Sequence, residues 1–153
     1  MPSYSETRIL PYDAVQLFNL VADIERYPEF LPWCRDALIR DRKEDGIVAD
    51  LVVGDVFFSA TYRSKVTFDS PHRICMTHGG GRTLKELDGL WQFKDVADGC
   101  CQLDFRVEFA LQSRFLERLL VAGLPKVITF MVQSFERRAE ALYGKKASHN
   151  CNL

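Results

Sequence analysis

The sequence predicts an α+β fold in which a seven-stranded antiparallel sheet wraps around one long C-terminal helix. Residues 35 to 111 carry only strand-like signals, and their apolar side chains alternate with polar ones. After Ser113 the apolar side chains recur at every third or fourth residue, which is the period of an amphipathic helix. Because the sheet and the helix each have one apolar face, each buries that face against the other.

The first 29 residues predict one strand and two short helices. Residues 3 to 10 form the strand, which ends at Pro11. Asp13 is a suitable N-cap for the first helix, and Asp23 for a second helical turn that Pro28 ends. The apolar stripe of the first helix consists of Val15, Leu17, Phe18 and Val21.

An unusually apolar loop follows over residues 27 to 34, with the sequence YPEFLPWC. Its two prolines fix their own φ angles and remove two backbone donors, so the segment is neither a continuous helix nor a central strand. It carries Tyr27, Phe30, Leu31 and Trp33, too many apolar side chains for a solvated loop. The loop must therefore lie against the core of the protein or against a ligand.

Two long runs of the predicted meander alternate almost without error, as expected for a sheet that is wet on one side only. Asp45-Gly46 and Asp98-Gly99 are hairpin turn signals, and Gly79-Gly80-Gly81 predicts a flexible hairpin tip. In the first run the apolar face consists of Val56, Phe58, Ala60, Tyr62, Ser64, Val66 and Phe68. In the second it consists of Leu103, Phe105, Val107, Phe109 and Leu111.

A long amphipathic helix is predicted from about Ser113, a good N-cap, to Tyr143, before Gly144. Pro125 lies in its middle and lacks the amide proton that the helix needs, so we expect a kink or a split there. The predicted inward stripe consists of Leu116, Leu120, Leu124, Val127, Met131, Phe135, Ala139 and Leu142.

The chain has 153 residues, which predicts one domain over residues 1–144 and a flexible tail over residues 145–153. Its net charge of −1 gives no general electrostatic reason to bind nucleic acid, and we expect no DNA partner. From Arg114 onward, however, seven basic residues face three acidic ones. This is either a solvated helix face with a basic tail or a weak surface for lipid headgroups or RNA.

The five cysteines form neither a disulfide framework nor a zinc motif, and reduced thiols in a cytoplasmic protein fit them best. The N-terminus does not resemble a signal peptide, and no apolar run is long enough to span a bilayer. Any membrane association is therefore expected to be peripheral.

Catalytic and metal-binding signals are weak. The three histidines, His72, His78 and His149, show no metal-ligand spacing, and nothing places Cys34 beside His78. The predicted inward faces are nearly all carbon, with a few polar groups at Tyr62, Ser64, His78, Ser134 and the Trp91 indole. Such faces either fill a core or line a cavity for a hydrophobic molecule with one polar head, and the residues alone leave both interpretations open.

Three motifs together resemble the START-like, helix-grip superfamily, also called the polyketide cyclase/dehydrase and lipid transport group. They are the loop YPEFLPWC at residues 27 to 34, the strand pattern Leu87-x-Gly89-x-Trp91-x-Phe93, and the helix from Leu116 to Gly144. Within it, the chain is most similar to the branch of the coenzyme-Q-binding proteins and the ribosome-association toxins. This resemblance covers residues 3 to 144 and implies a deep apolar cavity between sheet and helix, with no catalysis and no cofactor other than a bound lipid.

The resemblance supports three hypotheses. In the first, the protein carries ubiquinone or a related isoprenoid, supports respiration, and works in the cytoplasm or at the periphery of the inner membrane. Phe30, Leu31 and Trp33 would then form a rim or lid over one end of the cavity. The expected cavity wall consists of Phe30, Leu31, Trp33, Tyr62, Val66, Trp91, Phe105, Val107, Leu120, Leu124, Val127 and Met131.

In the second hypothesis, the protein binds the large ribosomal subunit and blocks subunit association. Its phosphate contacts would be Arg114, Arg118, Lys126, Arg137 and Arg138. In the third, the protein is an enzyme of the cyclase or dehydratase type, and Tyr62 and His78 are the residues to replace.

Overall fold

The computed structural model describes residues 2–54, 59–146 and 151 and confirms the helix-grip prediction. One antiparallel sheet of seven strands has the order β1-β7-β6-β5-β4-β3-β2. The helices are α1 (Ala14–Ala22), a 3₁₀ helix (Ile24–Glu29) and α2 (Arg114–Tyr143). The strands are β1 (Ser3–Leu10), β2 (Cys34–Lys43), β3 (Gly46–Gly54), β4 (Ser59–Asp69), β5 (Arg73–His78), β6 (Leu84–Ala97) and β7 (Cys100–Leu111).

The structure confirms that buried and exposed side chains alternate along the two long runs. In β4, Ser64 and Val66 are buried while Thr61 and Thr67 are exposed, and in β7 the predicted face points inward throughout. Val56 and Phe58 of the first run lie outside the described residues. The inward faces of all seven strands make one concave surface, because strand pairing keeps residues in register on the same side.

Two of the predicted turns lie as expected, and one is shifted. Asp98-Gly99 joins β6 to β7, with Gly99 at a φ of +74°, and the triple glycine lies between β5 and β6. The turn between β2 and β3 lies at Glu44-Asp45, one residue earlier than predicted. Gly46 belongs to β3, where a Cβ atom would stand 2.3 Å from the Val66 carbonyl oxygen. Glycine is therefore needed here because β3 and β4 approach each other closely.

Asp13 caps α1 through a capping box, as predicted. Its carboxylate accepts from the Gln16 amide at 2.8 Å, and the Gln16 side chain accepts from the Asp13 amide at 3.1 Å. Val15 is a correction, because it is 52% exposed rather than part of the buried stripe. The 3₁₀ helix also differs, since Pro28 lies inside it and the Asp23 side chain makes no capping bond.

α2 is one helix of 30 residues that continues through Pro125, so the predicted split is wrong. The proline leaves the Val121 carbonyl without its helical donor, but Val121 is 42% exposed and water can serve that carbonyl. Leu120 and Leu142 of the predicted stripe are also corrections, since both are exposed. The buried positions of α2 are Leu124, Ile128, Met131, Val132, Ser134, Phe135 and Ala139.

The prediction that all thiols are reduced is wrong for two cysteines. Cys100, at the start of β7, forms a disulfide with Cys151, which lies 51 residues further along the chain. Cys34, Cys75 and Cys101 are free. Cys151 is thus tied to the sheet, whereas the tail residues 147–150, 152 and 153 lie outside the described residues. The proposed domain boundary at residue 144 stays a prediction.

Asp50 is a buried carboxylate on the outer face of β3, 5% exposed, and it pairs with an arginine from each neighbouring strand. Its oxygens accept from Arg63 at 2.6 and 3.0 Å and from Arg40 at 2.7 Å. The Arg63 hydrogen bonds, with those of Arg40, lower the pKa of Asp50 to about 2. The hydrogen bonds of these three side chains link β2, β3 and β4 across the outer face of the sheet.

Asp50→Asn should therefore reduce stability at neutral pH but not in strong acid. A folded pKa below the unfolded value gives stability that is complete above pH 4 and is lost as the pH falls towards 2. The expected loss is at most about 2 kcal/mol, because the half-exposed arginines are screened by water. Urea unfolding of both proteins across this pH range measures it. Asp88→Asn, at an exposed position of β6, is the control, and an equal loss there would contradict the prediction.

Candidate functional site

The concave face of the sheet is sealed at one end and partly exposed at the other. The open end is defined here as the end where β2, β4 and β6 begin and β3, β5 and β7 finish. Toward the opposite, closed end, apolar side chains of the concave face such as Ile74, Phe93 and Leu103 are buried. From the middle of the strands towards the open end, the concave face carries five partly buried apolar side chains, although Phe109 beside them is buried. The five are Val53, Tyr62, Met76, Leu87 and Val107.

The first half of α2 follows β7 directly from the open end and does not cover these side chains fully. Leu120 is 38% exposed and Val121 42% exposed, whereas every buried position of α2 lies at Leu124 or beyond. An apolar sheet surface and an apolar helix surface thus stand at the open end without completely burying each other. Such a place can accept an apolar molecule, because both surfaces still have area to bury.

Near this region, two buried polar atoms have no hydrogen-bond partner among the described residues. Trp33 precedes β2 and its carbonyl accepts from Gly54 at the end of β3, while its indole Nε1 is buried and unbonded. Ser64 is 1% exposed on the concave face of β4, and its hydroxyl is also unbonded. A buried polar atom without a hydrogen bond costs about 1–3 kcal/mol, so a ligand with a polar head would recover part of that cost.

Next to these side chains, on the side of the closed end, aromatic rings fill the space between sheet and helix. The Trp91 ring lies 4.4 Å from that of Phe105 and 5.3 Å from that of Phe135, measured between centroids. Gly89 leaves a gap beside Trp91 that Met76 fills, since a Cβ at Gly89 would stand 2.4 Å from the Met76 methyl carbon. The deep cavity that the resemblance implies is therefore replaced here by packed side chains.

The aromatic loop is fixed to the second half of α2. Phe30 packs on Phe135 with ring centroids 5.2 Å apart, and the Arg138 guanidinium lies 5.1 Å above the Phe30 ring. Arg138 also pairs with Glu29 at 3.3 Å, and the Tyr27 hydroxyl donates to the Val21 carbonyl. The loop is thus held by α1 and α2, as a rigid rim would be.

Two surface depressions lie on the outer flank of α2 and meet at Phe130. The first, of about 200 Å³, lies between the aromatic loop and the helix. The second, of about 310 Å³, lies along the helix between Pro125 and Gln133. Both are on the side of α2 that faces away from the sheet, so neither is the cavity that the resemblance implies.

Of the predicted wall residues, most share the core but few reach the open end. Leu120 is exposed and Val127 is half-buried outside the core cluster. Val53, Met76 and Leu87 were missed. Leu87 shares its strand face with Trp91 and Met76 shares its face with Ile74, so the strand period of two could have found these two residues. The residues that join the core are Phe30, Leu31, Trp33, Tyr62, Val66, Trp91, Phe105, Val107, Leu124 and Met131.

The groups considered for catalysis do not come together. Cys34 begins β2 and His78 ends β5, and these strands are three inter-strand spacings apart, roughly 14 Å. Burial raises the pKa of the Cys34 thiol to about 11, which leaves it protonated and weakly nucleophilic at neutral pH. Burial, with a smaller effect of Cys34, raises the pKa of the Tyr62 hydroxyl. Among the described residues no cluster of three potential metal ligands is found.

The predicted anionic contacts divide into two groups. Arg114, Arg118, Lys126 and Arg137 are exposed and make no ion pair within the described ranges. Arg138 differs from these four because it is partly buried, pairs with Glu29 and lies over the Phe30 ring, and its role as an anionic contact stays a prediction. Within the same ranges, no helix is both long and apolar enough to cross a membrane.

A one-sided antiparallel sheet closed over a single long helix, with an apolar opening between them, defines a START-like, helix-grip protein. The chain belongs to the polyketide cyclase / dehydrase and lipid transport family, whose sequence model matches residues 10–136.

Its relatives within that family carry two kinds of names. The ribosome association toxin RatA of Vibrio cholerae is 30% identical over 145 residues, 95% of this chain and 100% of that protein. The mitochondrial coenzyme Q-binding protein COQ10 homolog B of Xenopus laevis is 29% identical over 94% of this chain and 60% of its own length. The solution structure of the 18 kDa protein CC1736 from Caulobacter crescentus matches 95% of this chain and all of its own, with a TM-score of 0.78 and 29% identity.

Proposed function

We propose that the protein binds a hydrophobic molecule with one polar head, such as ubiquinone or a related isoprenoid, at the open end and does not transform it. The observation that carries the proposal is the incomplete burial of apolar side chains on both sheet and helix at this end. The unbonded Trp33 and Ser64 atoms offer a donor and a hydroxyl for the polar head. The name of the coenzyme Q-binding relative supports the choice of ligand class.

The expected affinity follows from the area of the tail that the ligand buries. Each buried CH₂ group contributes about 0.8 kcal/mol, so two or three isoprene units give roughly micromolar binding after the cost of association. The purified protein should be extracted with organic solvent and the extract analysed by mass spectrometry, together with quinone uptake from vesicles. Repeated absence of a lipid from the extract, with no uptake, would refute the proposal.

Trp33→Ala should weaken quinone uptake more than it lowers stability. Trp33 is half-buried, its indole N–H has no partner, and its loop is fixed independently by Tyr27, Phe30 and Arg138. We expect at least about a tenfold loss in uptake, since an aromatic side chain and a donor are removed together. Uptake from vesicles and urea unfolding should be measured on the same preparation.

Trp33→Phe is the matched variant for this measurement, because it keeps one aromatic ring while it removes the donor and the second ring of the indole. It should retain more uptake than Trp33→Ala. If Trp33→Ala only destabilises the protein and leaves uptake by the folded fraction unchanged, the residue is ordinary core and the loop is no rim.

A second candidate function is binding to the large ribosomal subunit. The exposed cations Arg114, Arg118, Lys126 and Arg137 on α2 favour it, as do the names of the toxin relatives. Phosphate contacts of this kind weaken steeply as salt is raised. Co-sedimentation with ribosomal subunits in sucrose gradients at two salt concentrations distinguishes it, because quinone binding at an apolar site would change little with salt.

An enzymatic role, the third candidate, follows from the family description, which includes cyclases and dehydrases. Tyr62 is the polar side chain best placed for it, at the open end of the concave face. Loss of turnover of a polyketide substrate in Tyr62→Phe, with ligand binding retained, would favour catalysis over carriage.

A further inference from the structure

The outer face of α2 is apolar where a solvated helix would be polar. The described residues contain nine large apolar side chains that are exposed, and five of them lie between residues 115 and 130. Phe115 is 70% exposed and Leu119 59% exposed, the two highest values among them. Scattered exposed apolar residues need no explanation, but a cluster on one helix indicates a surface that is covered when the protein works.

Three of the five, Phe115, Leu119 and Phe130, lie on the side of α2 opposite to the core, whereas Leu120 and Val121 lie on the core side and belong to the open end. Positions 115, 119, 122, 126 and 130 follow one another at steps of three or four, so they share one helix face. The buried positions Leu124, Ile128 and Phe135 lie on the other side of the helix. The outer stripe is therefore independent of the open end of the sheet and of any ligand there. Phe115, Leu119, Ala122, Lys126 and Phe130 are named the outer stripe below.

The charges around the outer stripe have one sign. Arg114 and Arg118 flank its first turn, Lys126 lies within it and Arg137 continues it. The acid between residues 113 and 135 is Glu117, whose carboxylate accepts from the Leu111 amide at 2.8 Å. The stripe is thus an apolar strip edged by cations that have no ion-pair partner in the described residues.

We propose that the outer stripe docks on the surface of an anionic phospholipid bilayer, with α2 lying in the plane of the interface. Phe115, Leu119 and Phe130 would enter the boundary between headgroups and acyl chains. Arg118 and Lys126 have long side chains that reach lipid phosphates while their methylene groups stay in the apolar layer. The apolar depression between Pro125 and Gln133 lies on the same side of the helix and gives the bilayer further area to contact.

The charge pattern favours a bilayer over the other occupants. A second copy packed on this face in antiparallel register would bring Lys126 and Arg118 close to the same cations of its partner, which is unfavourable. RNA offers phosphates but no apolar layer for Leu119, and burying that side chain is the main gain that this face offers.

Co-sedimentation with quinone-free vesicles tests the proposal, so that the result does not depend on the ligand proposed for the open end. Phosphatidylcholine vesicles with and without phosphatidylglycerol are compared. The protein should bind the anionic vesicles more tightly and release them as salt rises. Phe115→Ser/Leu119→Ser should reduce the affinity at least about tenfold, because both side chains lose their apolar contact.

Arg118→Gln/Lys126→Gln should reduce binding to the anionic vesicles by roughly fivefold per charge and leave the weak binding to neutral vesicles unchanged. Val15→Ser/Leu38→Ser removes two exposed apolar side chains elsewhere, and Lys65→Gln/Arg73→Gln removes two exposed cations from the outer sheet face. Both control pairs should bind vesicles as the unchanged protein does.

The single variants Phe115→Ser and Phe130→Ser keep the test valid if the double variant folds poorly, as judged by circular dichroism. Full binding by every folded stripe variant would overturn the proposal. Equal binding to both kinds of vesicle, or no vesicle binding together with salt-sensitive binding to RNA, would also overturn it.

Discussion

Trp91→Ala should lower the free energy of unfolding by about 3–5 kcal/mol, the usual cost of removing a large aromatic side chain from a packed core. Trp91 is 3% exposed, and its ring contacts those of Phe93, Phe105 and Phe135. Phe135 belongs to α2 and the other two rings to the sheet, so the cavity would lie in the contact between the two layers. Urea unfolding followed by far-ultraviolet circular dichroism measures the loss.

The same variant separates a core role for Trp91 from the ligand-contact role that the sequence suggests. Trp91→Phe keeps a ring in place and should cost much less than Trp91→Ala. Folded Trp91→Ala protein should still take up quinone, because the Trp91 ring is 3% exposed and packed among other aromatic rings. A loss of uptake with less than about 1 kcal/mol of destabilisation would show instead that Trp91 lines the ligand site.

Loss of the Cys100–Cys151 disulfide should cost the oxidised protein about 2–4 kcal/mol. The bond closes a loop across a separation of 51 residues, and the restriction of the unfolded chain grows with loop length. Cys151→Ser should therefore unfold at lower urea than the unchanged protein. Adding a reductant should lower the stability of the unchanged protein to that of the variant and leave the variant unaffected.

Thiol counting provides an independent check on this prediction. After unfolding without reductant, the unchanged protein should show three reactive thiols and Cys151→Ser four. Cys75→Ser is the control, since it removes a free thiol and leaves the disulfide intact. Five reactive thiols in the unchanged protein, or a reductant effect that persists in Cys151→Ser, would contradict the predicted bond.

The sheet could be predicted from the sequence because each strand is buried on one face only. Alternation in β4 and β7 identifies the inward residues directly, since a strand has two faces and a period of two. α2 could be predicted as a helix, and the inward side of its second half was correct, since Leu124, Met131, Phe135 and Ala139 are buried. The sequence did not show that Leu120 is left exposed or that Ile128 and Val132 join the buried side.

The candidate site could be predicted less well because it depends on what is left uncovered. No pattern in the sequence predicts that α2 fully buries Trp91 but leaves Val107 and Tyr62 only partly buried. The pairing of Cys100 with Cys151 was also inaccessible, since neither spacing nor parity connects them. Asp50 was missed because its arginine partners come from two other strands.

The order of the strands has a consequence for folding during synthesis. The edges of the sheet are β1 and β2, and β1 pairs with β7. Ser3 can therefore pair only after Glu108 has been synthesised. At ribosomal rates of about 5–20 residues per second, β1 spends several seconds without its partner strand. Glu6 and Arg8 lie on the same face of β1, and charges on a free strand discourage pairing with the wrong chain. In the finished protein Arg8 pairs with Glu136 of α2, so the residues that would protect the nascent strand also join it to the last helix to be made.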